Sequence, residues 1–420
     1  LLSAFSATPA LAVSGDNFEY HGYMRAGMGS SVNGGDQVCY HQANIPGNEF
    51  RLGNECGIYG ENYLQAYTNR SKDPNAEFFR ANFDFSYNPA GKNLGEPPNF
   101  NVFGAFVEAA HLGGGEHSFW IGKRYYRTTD AHMDDFFYFA DTSGNGGGVE
   151  GIPLFNGKFA IALLQEDAPA SDYNVINGNT VYVNGQPSQV SIQNGERPRT
   201  MLIDLRLLEM KIADHNQLNF WAGYAFSNGG TDGVTGQVFN SNSGFVGGVK
   251  YQYQTPSGYN RLSAIYGYGL MQGMNLSGTP FGADPTELQG QGFTSSAHRV
   301  RLVEEFVIQP VSYFATAFAA FCETWNSGAA SFDNGHWYSV GARPIYFFSD
   351  HYSIMAEIGA SNVKQTGLTG TQAGTPLVRA TIAPQITPKS EFFARPSLRA
   401  FLTDTFGHDS AYGLQGEVWF

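Results

Sequence analysis

Residues 18–29 read FEYHGYMRAGMG, and their alternation decides the fold. Successive side chains of an extended strand point to opposite sides. Tyr23, Arg25 and Gly27 therefore share one face, and Gly22, Met24, Ala26 and Met28 share the other. An arginine beside a tyrosine, backed by small and apolar residues, suits the wall of a water-filled barrel in lipid. The end of the chain, AYGLQGEVWF (residues 411–420), repeats the pattern. Gln415, Glu417 and Trp419 fall on one face, Leu414, Gly416, Val418 and Phe420 on the other. A barrel closed between these two strands places Trp419 in the lumen beside Tyr23.

Composition agrees. Of 420 residues, 15% are charged, against about 25% in ordinary soluble domains, and 52 are glycine. No run of about 18 apolar residues follows the N-terminus, so no transmembrane helix is available. A mean hydropathy of -0.27 excludes a helical membrane protein, but not a barrel, where only alternate residues meet lipid. The net charge of -13 argues against nucleic-acid binding, which needs Lys/Arg stripes. Residues 1–12, LLSAFSATPALA, resemble the end of a secretory signal with an A-x-A cleavage pattern at Ala10-Leu11-Ala12, so residues 13–420 are expected to form one barrel domain.

Between the two terminal strands, further strand-like stretches recur, among them AEFFRANFDFSYN, NFNVFGAFVEAAHL, GKFAIALLQ, MLIDLRLLEMKI, AHRVRLVEEFVI and EFFARPSLRAFLT. FRLGNECGIYGENYLQAY is read as the second strand. Arg51, Gly53, Glu55, Tyr59, Glu61 and Tyr63 lie on its inner face, and Leu52, Cys56, Ile58 and Leu64 on its outer face. Connections alternate between short turns such as ADHNQ and long Gly/Asn/Ser loops, the outer-membrane barrel pattern. Residues 167–197 read as one such loop, containing a small hairpin. Roughly seventeen strands are legible. Bacterial barrels have even numbers, so the expected fold is an all-β, 18-stranded antiparallel transmembrane barrel.

Residues 122–150, GKRYYRTTDAHMDDFFYFADTSGNGGGVE, are too polar for a membrane-crossing strand and too aromatic for an ordinary surface loop. They are expected to fold into the lumen and narrow a channel. Asp130, His132, Asp134 and Asp135 could be taken for a metal cluster, but zinc and calcium sites need several ligands at fixed geometry. Hydroxyl partners and loop scaffolding are the preferred reading, with no metal and no cofactor. Glu304 and Glu305 are read as lumen charge. No G-x-S-x-G and no G-K-[ST] loop appears, so no enzymatic activity is expected. Cys39 and Cys56 flank a Gly/Asn/Gln-rich loop, where a disulfide is expected; two buried free thiols are the alternative.

Several of these stretches resemble the maltoporin family of sugar-specific porins. The carriers are FEYHGYMRAGMG, FRLGNECGIYGE, GKRYYRTTDAHMDDFFYF with SGNGGG, DLRLLEMKI, VGARPIYFF, FFARPSLRAF and the closing GEVWF. The resemblance implies a trimeric outer-membrane barrel, set among lipid and lipopolysaccharide, whose third loop folds inward. It implies an aromatic slide at Tyr23, Tyr59, Tyr259, Phe393 and Trp419. The neighbour Phe392 would replace Phe393 after a one-residue slip. It implies a polar track at Arg25, Arg51, Glu61, Asp130, His132, Asp135 and Asn260, and a disulfide at Cys39–Cys56. The chain also departs from the family. Thr128 stands where the narrowest point has an arginine, with Arg127 one residue earlier. Phe137 stands where a tyrosine caps the constriction. The stretch 88–101 lacks the tryptophan lent to a neighbouring subunit, Phe100 being the candidate substitute.

Such a lumen has a physical logic. A sugar ring has apolar C–H faces that stack on aromatic rings. Each of its hydroxyls costs about 1–3 kcal/mol if it leaves water without a partner. Arg, Asp and Glu supply charge-assisted partners. Many weak stations let mono- and oligosaccharides pass without a deep trap.

Overall fold

The computed structural model describes residues 13–15, 17–40, 42, 50–68, 71, 73, 75–89, 98–165, 181–183, 186–188, 200–227, 230–231, 238–239, 241–275, 295–328, 334–367, 370–374 and 376–420. The stretch read as a signal remnant, residues 1–12, lies outside them. Eighteen strands form the barrel. In chain order they are β1 (Phe18–Ser31), β2 (Tyr59–Tyr67), β3 (Phe78–Pro89), β4 (Pro98–Ala110), β5 (Ser118–Arg124), β6 (Gly144–Leu154), β7 (Gly157–Gln165), β8 (Met201–Ala213), β9 (Asn216–Ser227), β10 (Asn242–Thr255), β11 (Gly258–Gly269), β12 (His298–Val311), β13 (Phe314–Asn326), β14 (Asn334–Phe347), β15 (Tyr352–Gly367), β16 (Leu377–Ile386), β17 (Ser397–Thr405) and β18 (Ala411–Trp419). Each pairs antiparallel with the next, and β18 closes on β1 with Trp419 opposite Tyr23. Gly22 and Phe420 add two backbone hydrogen bonds of 3.0 Å to the seam. Val13–Gly15 and Gly370–Ala373 extend the same sheet at its rims.

Alternation sorts the side chains as the sequence requires. Along β17, Leu398 and Leu402 face outward at 60% and 52% exposure, while Arg399, Phe401 and Thr403 are buried inward. Short turns at 256–257, 312–313 and 348–351 mark one rim, where Tyr313, Tyr346, Phe348 and Tyr352 are exposed as an aromatic girdle. Long connections mark the other rim. Within 167–197 the expected hairpin is present as Val181–Val183 paired with Gln186–Ser188; the rest lies outside the described residues.

Four readings are corrected. The strand missing from the sequence count is β6, whose glycines hide its strand character. A Cβ on Gly146 would come 2.2 Å from the Leu163 carbonyl, and one on Gly148 2.6 Å from that of Ile161, so only glycine lets β6 approach β7 this closely. Second, residues 50–58 are not strand. Phe50 and Gly53 have φ of 56° and 66°, and the segment folds into the lumen as an arc. Leu52, expected outside, is 2% exposed inside. Third, residues 391–396 form a turn before β17, so both Phe392 and Phe393 point into the lumen and the question of register lapses. Fourth, Asn260 does not share a face with Tyr259. It points outward on β11, opposite Tyr253 and Phe306, and donates to Glu304, which is likewise outside. The lumen neighbours there are Arg261 and Glu305, 2.8 Å apart.

Candidate functional site

The loop between β5 and β6 crosses the lumen as a two-stranded ribbon, Thr129–Ala131 paired with Phe136–Phe139. Alternation splits it as it splits a barrel strand. Ala131, Met133, Phe136, Tyr138 and Phe139 are buried against the wall, where Phe136 meets Phe321 and Trp337 at ring separations of 5.9 and 6.3 Å. The Tyr138 hydroxyl donates to Glu305 at 3.0 Å, and Arg301 donates to the Tyr138 carbonyl at 3.3 Å. Tyr125, Arg127, Thr128, Asp130, His132, Asp135 and Phe137 keep solvent exposure on the opposite side.

The arc at 50–56 is stitched to this ribbon. The Arg51 N–H donates to the Met133 carbonyl at 2.9 Å, and the Phe50 N–H to Asp134 at 3.0 Å. Leu52 N–H donates to Glu357 at 2.9 Å. The Phe50 ring lies on Gly341 and Gly359, where any Cβ would come within 2.2 and 2.3 Å of it. The Cys39–Cys56 disulfide (Cα–Cα 5.8 Å) closes the loop behind the arc.

Where arc, ribbon and seam meet, charges converge. Arg25 Nη1 lies 2.6 Å from Glu55 Oε1 and 3.0 Å from Asp135 Oδ2. Arg51 binds Glu55 at 2.7 Å, Glu417 at 3.0 Å and the Tyr23 hydroxyl. Arg395 and Arg399 reach Glu417 at 2.7 and 3.0 Å. Burial alone would raise the Asp135 carboxyl, but Arg51 and Arg25 hold it below the usual range. Burial pushes Asp130 up, against the pull of Arg261. Burial, with Arg51 nearby, pushes His132 well below the ordinary imidazole value and keeps it neutral.

Two aromatic groups border this knot. Tyr23 and Tyr59 lie 6.3 Å apart, with Arg25 over the Tyr59 ring at 5.1 Å. Trp419, Phe393 and Phe392 surround His132 at 5.8, 5.5 and 6.3 Å, and Arg395 lies over Trp419 at 4.1 Å. Tyr259 stands apart, 5% exposed under Arg261. Glu61 accepts from Tyr59 at 2.7 Å and Tyr63 at 2.5 Å and faces Arg127 at 3.6 Å. A polar cavity of about 220 Å³ opens here, lined by Arg25, Asn54, Glu55, Tyr59 and Asn88 among others.

The sequence reading gave Tyr125 no role. Its ring stacks on Phe103 at 4.0 Å, and Arg127 sits between Tyr125 and Phe137 at 4.0 and 3.7 Å. The every-second-residue spacing of Tyr125 and Arg127 was the available signal. Thr128 donates to the Phe139 carbonyl at 2.6 Å, so its hydroxyl braces the ribbon. Phe100 is 58% exposed, stacked on Phe85 on the outer face.

Solved porins have similar architecture at very low identity. OmpT of Vibrio cholerae in its trimer form shares 8% identity over 96% of this chain and 99% of that one, with a TM-score of 0.47. OmpF of Salmonella typhi, solved with daunomycin, shares 10% over 98% and 100%, at 0.46. The channel DcaP of Acinetobacter baumannii shares 9% over 97% and 99%, at 0.46. Strand pairing, not these likenesses, establishes the barrel. The model of the LamB porin family matches residues 18–420, from the first barrel strand to the last residue. The chain is thus a porin of the bacterial outer membrane, and it belongs to the LamB porin family.

Proposed function

We propose that this porin admits sugars by passive, selective diffusion and works as a homotrimer after loss of the residues preceding Val13. The observation that carries the reading is the border of the constriction. Rings of Tyr23, Tyr59, Phe393 and Trp419 stand beside Arg25, Arg51, Glu61, Asp130, His132 and Asp135. Apolar faces and fixed hydrogen-bonding groups lie within one sugar ring of each other. That is what a solute with C–H faces and a hydroxyl rim needs on leaving water. Asn260 has no place in this track, and Tyr259 would serve only as a lower boundary.

Phe137 and Thr128 contribute no hydroxyl to the opening, so bulky sugars such as sucrose are expected to pass as readily as linear maltodextrins. Single-channel recording with maltotriose and sucrose tests the reading: concentration-dependent block supports it. Open current with no block by either sugar would sink it in favour of a general porin, and no current at all would favour an adhesion barrel.

A further inference from the structure

We propose a second binding lane, running down β2 from the constriction to the periplasmic mouth and ending in a station built by Tyr67, Phe78 and Arg80. The inward positions of β2 are Tyr59, Glu61, Tyr63, Gln65 and Tyr67, so rings and hydrogen-bonding groups alternate along one straight rail. The rings recur every four residues, roughly 13–14 Å along the strand. Each tyrosine hydroxyl is tied to the polar group beside it. Glu61 takes Tyr59 and Tyr63, and the Tyr67 hydroxyl lies 2.8 Å from the Glu19 carboxylate and 2.9 Å from the Gln65 side-chain oxygen.

The lower end is the most built part. Phe78 of β3 meets Tyr67 edge-on at 5.5 Å and His111 at 6.0 Å. Arg80 lies over both rings, 6.0 Å from Tyr67 and 5.5 Å from Phe78. It is fixed by Glu108 at 2.6 Å and Gln65 at 2.9 Å. Tyr67, Phe78, Arg80, Gln65 and Glu19 all keep partial exposure. On the far wall, Trp221, Phe321 and Trp337 are buried beneath the ribbon or beside it. Rings that only filled space would be covered as those are.

The ligand class is an oligosaccharide: a pyranose face on Tyr67 or Phe78, its hydroxyls on Arg80, Gln65 and Glu19. The lane rests on the sugar reading above and adds a separate capture site at the exit. A sugar approaching from the periplasm meets it before the constriction, and one approaching from outside meets Tyr59 first.

The test is the association rate of maltotriose, added to one side of a planar bilayer at a time. Tyr67→Leu with Phe78→Leu should lower the rate from the periplasmic side about fivefold and leave the rate from the extracellular side within about twofold. Tyr67→Phe, which keeps the ring, should retain most of the rate. Ion conductance of the unmodified size identifies folded channels. An unchanged periplasmic rate, or an equal fall from both sides, overturns the lane while Trp419→Ala still weakens block. No block of the unmodified protein overturns the sugar reading, and the lane with it.

Discussion

The two walls of the lumen are built from the same residue types and do different work. From β8 to β15 the inward charges are mostly pairs, Asp204–Arg206, Arg261–Glu305, Arg299 and Arg301 on Glu323, and Arg343–Glu357, while Lys250 donates to Thr129 of the ribbon. All are buried, as are Trp221, Phe321 and Trp337. Across the seam, from β17 through β2, Arg51, Arg395, Arg399 and Glu417 form a buried knot, but Tyr23, Arg25, Tyr59, Glu61, Phe393 and Trp419 around it keep exposure. Alternation put both sets inside. What separates them is which wall the ribbon and the arc lie against. A buried pair removes charge from the pathway and anchors a loop; an exposed one offers a partner to a polar solute.

The largest effect follows from breaking the buried wall. Glu323 is 1% exposed and serves both Arg299 and Arg301. Glu323→Ala leaves two buried guanidinium groups without it, a loss of about 3–5 kcal/mol. Because Arg301 also holds the Tyr138 carbonyl, the ribbon loses an anchor. Barrel stability in denaturant should fall and open-channel noise should rise. A variant with unaltered stability would remove this wall from its anchoring role.

A smaller change tests the arc. Gly359→Ala sets a methyl 2.3 Å from the Phe50 ring, so Phe50 must leave its slot. Overpacking of this kind costs about 1–3 kcal/mol. Arg51, next in the chain, should shift with it, raising ion conductance and weakening sugar block together. Conductance identical to that of the unmodified channel would show that the arc does not set the opening.

On the exposed wall the effect is smaller and more selective. Trp419→Ala removes a ring beside His132 and Phe393 and beneath Arg395, which keeps its ion pair with Glu417. Sugar block should weaken about three- to tenfold, up to about 1.4 kcal/mol, with ion current nearly unchanged. An unaltered block constant would take Trp419 out of the slide.

The difference between the walls also sets how much was legible. Tyr23, Arg25, Glu417 and Trp419 lie in strands with strict alternation, and their inward direction follows from period two alone. Asn260 was misplaced because the family resemblance carried it over with Tyr259, although neighbours on a strand face opposite ways. Strand β6 was hidden because three consecutive glycines, Gly146–Gly148, carry no side chain to alternate. The arc at Phe50 reads as strand because its residues alternate by type; the φ values of Phe50 and Gly53 that bend it inward leave no mark in hydropathy. That the far wall is covered could not be read locally, since it depends on where a loop distant in sequence comes to rest.

The smallest predicted effect lies on the seam between the walls. His132 is held well below its ordinary value by burial and by Arg51, with Arg343 and Arg395 adding to this and Glu417 opposing it. The displaced ribbon therefore takes up a proton that the docked one does not, so docking weakens as pH falls below about 6.5. Asp135, also held low, acts in the same direction nearer pH 4 and below. Asp130 is raised, so its contribution is present at low pH and is lost as pH rises through its folded value; it opposes the other two. Below about pH 6.5 current noise from ribbon motion should rise modestly where the His132 contribution exceeds the opposing one of Asp130, and His132→Gln should remove that rise. Noise that falls with pH, or a rise that persists in His132→Gln, would place the pH response elsewhere in the charge knot.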